Sequence, residues 1–140
     1  MRFVRNKDTG QIVTEDKARE QAPADFYQHF APVTGSEAAI AEIVHVINTH
    51  EPADRYKYML LDRLRTDCDY FLNNGNRNPG TLWAGSVDVH LECMKLLWSS
   101  FPRGNRPEWL TESDLEQYAR DMAGRSLADA TDHDRSYITV

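Results

Sequence analysis

Between Leu60 and Phe101 the apolar residues fall into two stripes of helical period, parted by the Asn/Gly-rich break NNGNRNPG (Asn73–Gly80). The first stripe is Leu60/Leu61, Leu64, Cys68 and Phe71; the second is Val87, Leu91, Met94, Leu97, Trp98 and Phe101. Steps of three and four residues put each set on one side of a helix. A face that long is stable in water only when another element covers it, so the two stripes demand a helical core.

Local punctuation places the elements around it. The first stripe predicts a helix from about Asp54 to Asn73. Its other side carries Asp62, Arg63, Arg65, Asp67 and Asp69 at i,i+3 and i,i+4 spacings. Ion pairs there contribute only about 0.2–0.5 kcal/mol each and mark a wet face. Cys68 therefore continues the buried stripe as a small apolar residue, with the aspartates beside it turned outward. Gly75 is placed for a left-handed cap, and Arg77 lies near enough to bond that helix's last carbonyls or a neighbouring aspartate. Ser86 predicts the N-cap of the next helix, which Pro102 ends.

Upstream, Ser36 is the expected N-cap of a helix through about His50, with Ile40, Ile43, Val44 and Ile47 on one face and Pro52 as its stop. Downstream, Thr111 and Asp114 approximate a capping box, Leu110 and Leu115 fit a hydrophobic staple, and Gly124 stops the helix. At the N-terminus, Phe3-Val4 and Ile12-Val13 flank a hairpin turn at Asp8-Thr9-Gly10. Thr14 then caps a short helix, and ADFYQHFAPVTG reads as a packed aromatic connector. Tyr137–Val140 either adds a strand to the hairpin or frays. The expected fold is α+β, predominantly α: a hairpin, three long helices and a capped fourth. Its parts are a hairpin, short helix and connector over 1–35, a helical core over 36–124 and a polar tail over 125–140, all one domain.

At 140 residues the chain can bury one core without staples, and two cysteines twenty-five residues apart form no disulfide framework. No apolar run spans a bilayer and MRFVRNKDTG lacks a secretory apolar region, so a cytoplasmic, reduced protein is expected. The net charge of −6 is unevenly spread. Residues 1–54 hold five basic and nine acidic groups, residues 55–106 eight and five, and residues 107–140 three and eight. A basic middle between acidic ends either matches charge internally or offers two binding surfaces; solvated helix faces explain it too.

Three sets of residues carry possible chemistry. His90 and Cys93 stand at i and i+3 on one helix, and Cys68 on another can join them as metal ligands or as a thiol–histidine pair. No CxxC or HExxH spacing supports a metal, and buried thiols with a core-edge histidine explain the same letters. Arg77 offers fixed donors for a carboxylate or phosphate. Trp83 and Trp109 are core plugs, or hot spots if exposed. Finally Glu108, Glu112, Asp114, Glu116 and Asp121 form an acidic cluster on and just before the last capped helix. Glu112 and Glu116 share a solvent face that can occupy a groove built for phosphates.

From Tyr58 to about Met122 the chain resembles the large polyvalent protein-associated domain 11 family of phages, plasmids and conjugative elements. YMLLDRLRTDCDYFLNNGNRNPGTLWAG, VDVHLECMKLLWSSFP and PEWLTESDLEQYARDM carry the resemblance, in that order. Asn73 stands where a glycine is expected after Tyr-Phe-Leu. The resemblance implies an accessory of a mobile element and supplies no catalytic residues. By analogy with small acidic proteins of such elements, it points to a non-enzymatic counter-defence inhibitor of anti-CRISPR or antirestriction type. Its expected partner is a host or mobile-element protein, such as a nucleic-acid-handling complex, with no cofactor, metal or membrane. Binding residues expected on this reading are Arg77, Trp83, Glu108, Glu112, Asp114 and Glu116. The alternatives are a thiol- or metal-dependent enzyme using Cys68, His90 and Cys93, and a small nucleic-acid-binding accessory using the basic middle.

Overall fold

A computed structural model describes residues 1–49 and 54–140. The fold is α+β and mainly helical, with a three-stranded antiparallel sheet ahead of the long helices. The expected helix end at His50 and stop at Pro52 lie outside the described residues.

Strand β1 (Phe3–Asn6) is central, between β2 (Ile12–Thr14) and β3 (Phe30–Pro32). Phe3 faces Thr14, Val4 faces Val13 and Arg5 faces Ile12 on one side; Arg5 faces Ala31 on the other. Gly10 closes the turn at φ +77°, a conformation that needs a glycine. Alternation then splits the sheet's side chains. Phe3 and Ile12 join the main core, while Val4 and Val13 join Ala18, Phe26 and Phe30 in a second cluster on the other face.

The aromatic connector is thus more than a connector. It forms a short helix α2 (Phe26–His29) and then β3, with Phe26 and Phe30 stacked at 5.5 Å over the outer sheet face. Thr14 caps α1 (Glu15–Gln21), accepting from the Lys17 N–H, as its position in the sequence predicts.

Helix α3 (Gly35–Thr49) begins one residue before its expected cap. Ser36 lies inside its first turn, and its hydroxyl instead donates to the Ala84 carbonyl at 2.7 Å, tying α3 to the loop after the elbow. Helix α4 (Asp54–Asn73) and helix α5 (Val87–Ser100) follow the two stripes, and Ser86 caps α5 by accepting from Val89 N–H. Helix α5 is central, packing on α3, α4 and α6 (Glu112–Ala123), and on the short α7 (Leu127–Ala130). Burial from several sides explains why even His90 and Glu92 are enclosed.

Helix α6 (Glu112–Ala123) carries both halves of its capping box: Thr111 Oγ1 accepts from Asp114 N–H and Asp114 Oδ2 from Thr111 N–H. Leu110 and Leu115 are buried beside it, and Gly124 ends it at φ +69°. The last residues return to the sheet. Ile138 bridges Ile12 in parallel, with Ile12 N–H donating to Tyr137 and Thr139 N–H to Ile12. The C-terminal stretch therefore pairs along the free side of β2 through a single bridge.

Candidate functional site

The elbow after α4 is built differently from its expected form. Gly75 is not the left-handed residue; Asn76 (φ +53°) and Arg77 (φ +55°) are. Gly75 is required for space, because an added Cβ would lie 3.0 Å from Thr81 Oγ1 and 3.1 Å from the Tyr70 carbonyl. That crowding follows from Gly75 N–H donating to Tyr70 and Arg77 N–H to Phe71, which coils the chain tightly over the helix end. Arg77 does not clasp its own helix by its side chain. Its Nη2 donates to the carbonyls of Asp121 at 2.6 Å and Met122 at 3.3 Å, in the last turn of α6. A guanidinium at that carbonyl end is held by both hydrogen bonding and the helix dipole. Arg77 is thus engaged within the fold.

Cys68, His90 and Cys93, the residues of the thiol and metal alternatives, are core residues. Cys68 and Cys93 are fully buried, and desolvation pushes both thiols well above their ordinary range. Cys68 Sγ lies 3.4 Å from Met94 Sδ. His90 is also enclosed: one ring nitrogen meets the Leu64 carbonyl at 2.8 Å and the other the Ala84 N–H at 3.5 Å. Burial lowers its pKa, favouring the neutral ring. These three side chains sit where neither a nucleophile nor a ligand is reached by solvent. Among the described residues, no group of three or more His, Cys, Asp and Glu is arranged to hold a metal ion.

Two expected outward carboxylates turn inward to backbone. Asp67 is only 13% exposed and accepts from Trp83 N–H at 2.9 Å and from Arg63. Glu116 Oε2 accepts from Leu127 N–H at 3.1 Å, satisfying the first turn of α7. The expected pair of free carboxylates at Glu112 and Glu116 is therefore reduced to Glu112. Asp114 is exposed but occupied by its capping box, and Asp121 accepts from Gln117. Glu108 and Glu112 remain exposed and have no side-chain partner among the described residues.

Between those two glutamates in sequence stands Trp109, 39% exposed. It lines an open hollow of about 450 Å³ with Tyr58, Met59, Asp62 and Arg65. Met59 is 63% exposed. The Arg65 guanidinium lies over the indole at 4.7 Å and donates to Asp62 at 2.6 Å, so the ring is held flat against a fixed cation. An apolar centre of Trp109 and Met59 with charged residues around it has the anatomy of a binding hot spot. Met59 was not singled out in the sequence, although a large apolar residue between charged neighbours on the wet side of α4 is a visible signal. Trp83 lies elsewhere. It is half-buried and lines a cleft of about 630 Å³ beside the N-terminal sheet.

The segment that carries the elbow, the buried thiols and the Trp109 hollow also carries the chain's family signature. Residues 54–122 match the family described as large polyvalent protein-associated domain 11. This segment belongs to that family. No curated protein and no solved structure matches the chain. The polyvalent protein-associated domain begins with α4 and ends at Met122, so the Arg77 bridge to α6 is internal to it. The sheet, α3, α7 and the C-terminal bridge are additions packed around the domain. The match over this segment points to a mobile-element accessory of the polyvalent-protein type. No described helix is long and apolar enough to cross a membrane.

Proposed function

We propose that the chain is a non-enzymatic protein-binding accessory that counters a host defence, of anti-CRISPR or antirestriction type, by covering a basic surface on a nucleic-acid-handling protein. The observation that carries this reading is the exposed Trp109–Met59 centre, with the exposed Glu108 next to Trp109 in sequence and the exposed Glu112 three residues beyond it. An aromatic anchor supplies affinity once desolvated, and the unpaired Glu108 and Glu112 attract and orient a basic partner. Enclosure of Cys68, His90 and Cys93 supports binding over thiol chemistry.

The test uses phage plating or plasmid transformation in hosts carrying a defined CRISPR or restriction system. Expression of the chain is expected to raise plating efficiency against at least one system, and the inhibited protein to co-purify with it. Trp109→Ala with Met59→Ala should weaken that complex about thirtyfold or more, the equivalent of the ~2 kcal/mol expected of a hot spot. A chain that protects against no system, or a double variant that protects as well as the parent, overturns the reading.

A further inference from the structure

A second surface lies outside the polyvalent protein-associated domain except at Trp83. The cleft of about 630 Å³ runs between the inner edge of the sheet, α1, α2 and α3. Phe3, Phe26, Ala39 and Trp83 line it, and the small Ala39 side chain leaves the α3 wall recessed. Clefts of this size at the seam between a domain and its additions are common ligand sites. Two charged residues on its walls decide what fits. Glu42 of α3 is half-buried, and its carboxylate has no hydrogen-bonding or ion-pair partner among the described residues. Arg2, ahead of β1, likewise has no side-chain partner among them. The other charged pair in the cleft, Arg19 and Glu15, neutralises itself at 3.2 Å while Arg19 stacks on Phe26 at 4.2 Å.

A half-buried carboxylate beside apolar walls, with no partner of its own, is available to pair with a cation that enters the cleft. We infer that this cleft receives an extended peptide segment of a partner protein. An aliphatic or aromatic side chain of the segment fills the apolar interior, its neighbouring Lys or Arg pairs with Glu42, and an acidic group pairs with Arg2. The free charges of Glu42 and Arg2 are opposite in sign and lie on different walls of the cleft, which matches a peptide that carries both. The inference takes from the preceding reading only that the partner is a protein, and it uses none of the Trp109 hollow.

The experiment is selection of a displayed random peptide library on the full chain, followed by titration of a synthetic peptide from the enriched set. Enriched sequences should share an apolar anchor with a basic residue a few positions away. Glu42→Lys should weaken the peptide at least tenfold, Glu42→Gln severalfold, and Trp83→Ala measurably. Trp109→Ala should leave peptide affinity unchanged, so failure of the hollow and failure of the cleft are separately visible. Circular dichroism checks that each variant folds, and Glu42→Gln, which keeps the side chain's shape, stands if Trp83→Ala does not. Absence of an enriched motif overturns the inference, as does a peptide that binds Glu42→Lys like the parent. Concentration-dependent dimers abolished by Glu42→Lys would assign the cleft to a second copy of the chain and overturn it as well.

Discussion

Arg77 donates through Nη2 to the carbonyl of Asp121 at 2.6 Å, although 44 residues separate them. The contact joins the elbow after α4 to the end of α6 and closes the polyvalent protein-associated domain on itself. Its guanidinium also lies 5.5 Å from the Phe71 ring centre, so the side chain is packed as well as bonded. Arg77→Ala should lower stability by about 1–2 kcal/mol, within the range for hydrogen bonds from a charged donor. Arg77→Gly loses the same bonds but relieves the left-handed backbone at φ +55°, and should be the more stable of the two variants. Urea titration monitored by circular dichroism ranks them. Equal or reversed stabilities would show that the backbone strain is not relieved at this position.

What was legible in the sequence was local. Stripes, caps and stops located α4, α5 and α6, because each depends on residues within one or two turns. Thr111 and Asp114 are three residues apart, and their reciprocal bonds formed as spacing predicts. The missed features all depend on distant partners. β3 is a strand only because β1 offers an edge, and Ser36 bonds Ala84 rather than capping its own helix. Glu116 looks like a free surface charge until α7 folds back and presents Leu127 N–H to it. Gly75 suggested a left-handed cap because that is the commonest use of glycine at a helix end; crowding by Thr81 and Tyr70 is invisible to local spacing.

The buried thiols and imidazole contribute to the pH dependence of stability. Burial raises the Cys68 and Cys93 pKa values above the unfolded value near 9. Their contribution is complete below pH 9 and is lost as pH rises, because the unfolded chain releases thiol protons that the folded chain keeps. Each thiol can add a slope of about 1.4 kcal/mol per pH unit. Burial lowers the His90 value below the unfolded 6.5, so its contribution is present above 6.5 and falls as acid protonates the unfolded ring. His29 acts in the opposite sense: hydrogen bonds that its ring donates to Asp8 and then to Asp25 raise its pKa, adding stability on the acid side. Cys68→Ala should cost on the order of 1 kcal/mol at neutral pH, a small core truncation. It should also flatten the alkaline slope by one thiol. Urea melts from pH 5 to 10 measure both, and an unchanged alkaline slope would contradict the burial of Cys68.

Arg135 and Glu92 form the most enclosed ion pair described. Glu92 is 4% exposed in the middle of α5, and Arg135 Nε and Nη2 reach its two oxygens at 2.8 and 3.1 Å. His133 Nδ1 lies 3.1 Å from the same carboxylate. Removing the guanidinium leaves a buried carboxylate with one weak partner, so Arg135→Ala should destabilise by about 3 kcal/mol. Replacing both partners by methionine should recover much of that loss, since no charge is then stranded. The pair also anchors the stretch that bridges Ile12, and amide exchange at Ile12 and Thr139 should quicken in Arg135→Ala. Protection of those amides at the parent's level would show that the C-terminal bridge holds without the ion pair.

Glu112 and Glu116 are one turn apart on α6 yet have different work to do. Glu112 is exposed without a partner, whereas Glu116 is half-buried and accepts from Leu127 N–H. Neutralising both at once would therefore mix a surface effect with the loss of a helix cap. Singly, Glu116→Gln should lower stability by about 0.5–1 kcal/mol, because an amide oxygen accepts more weakly than a carboxylate at a helix start. Glu112→Gln should leave stability within about 0.5 kcal/mol of the parent, as for surface changes away from structural contacts. Its effect belongs to binding instead. If the acidic residues beside Trp109 steer a basic partner, Glu112→Gln slows association at low salt, and the difference from the parent vanishes as salt shortens the Debye length to ~3 Å at 1 M. Trp109→Ala should show the opposite pattern, with faster dissociation at every salt concentration, because its contribution is desolvated contact. Stopped-flow or surface-based kinetics at two ionic strengths distinguish these roles. A Glu112→Gln variant with unchanged association rates at low salt would remove the acidic rim from the mechanism and leave the aromatic centre to act alone.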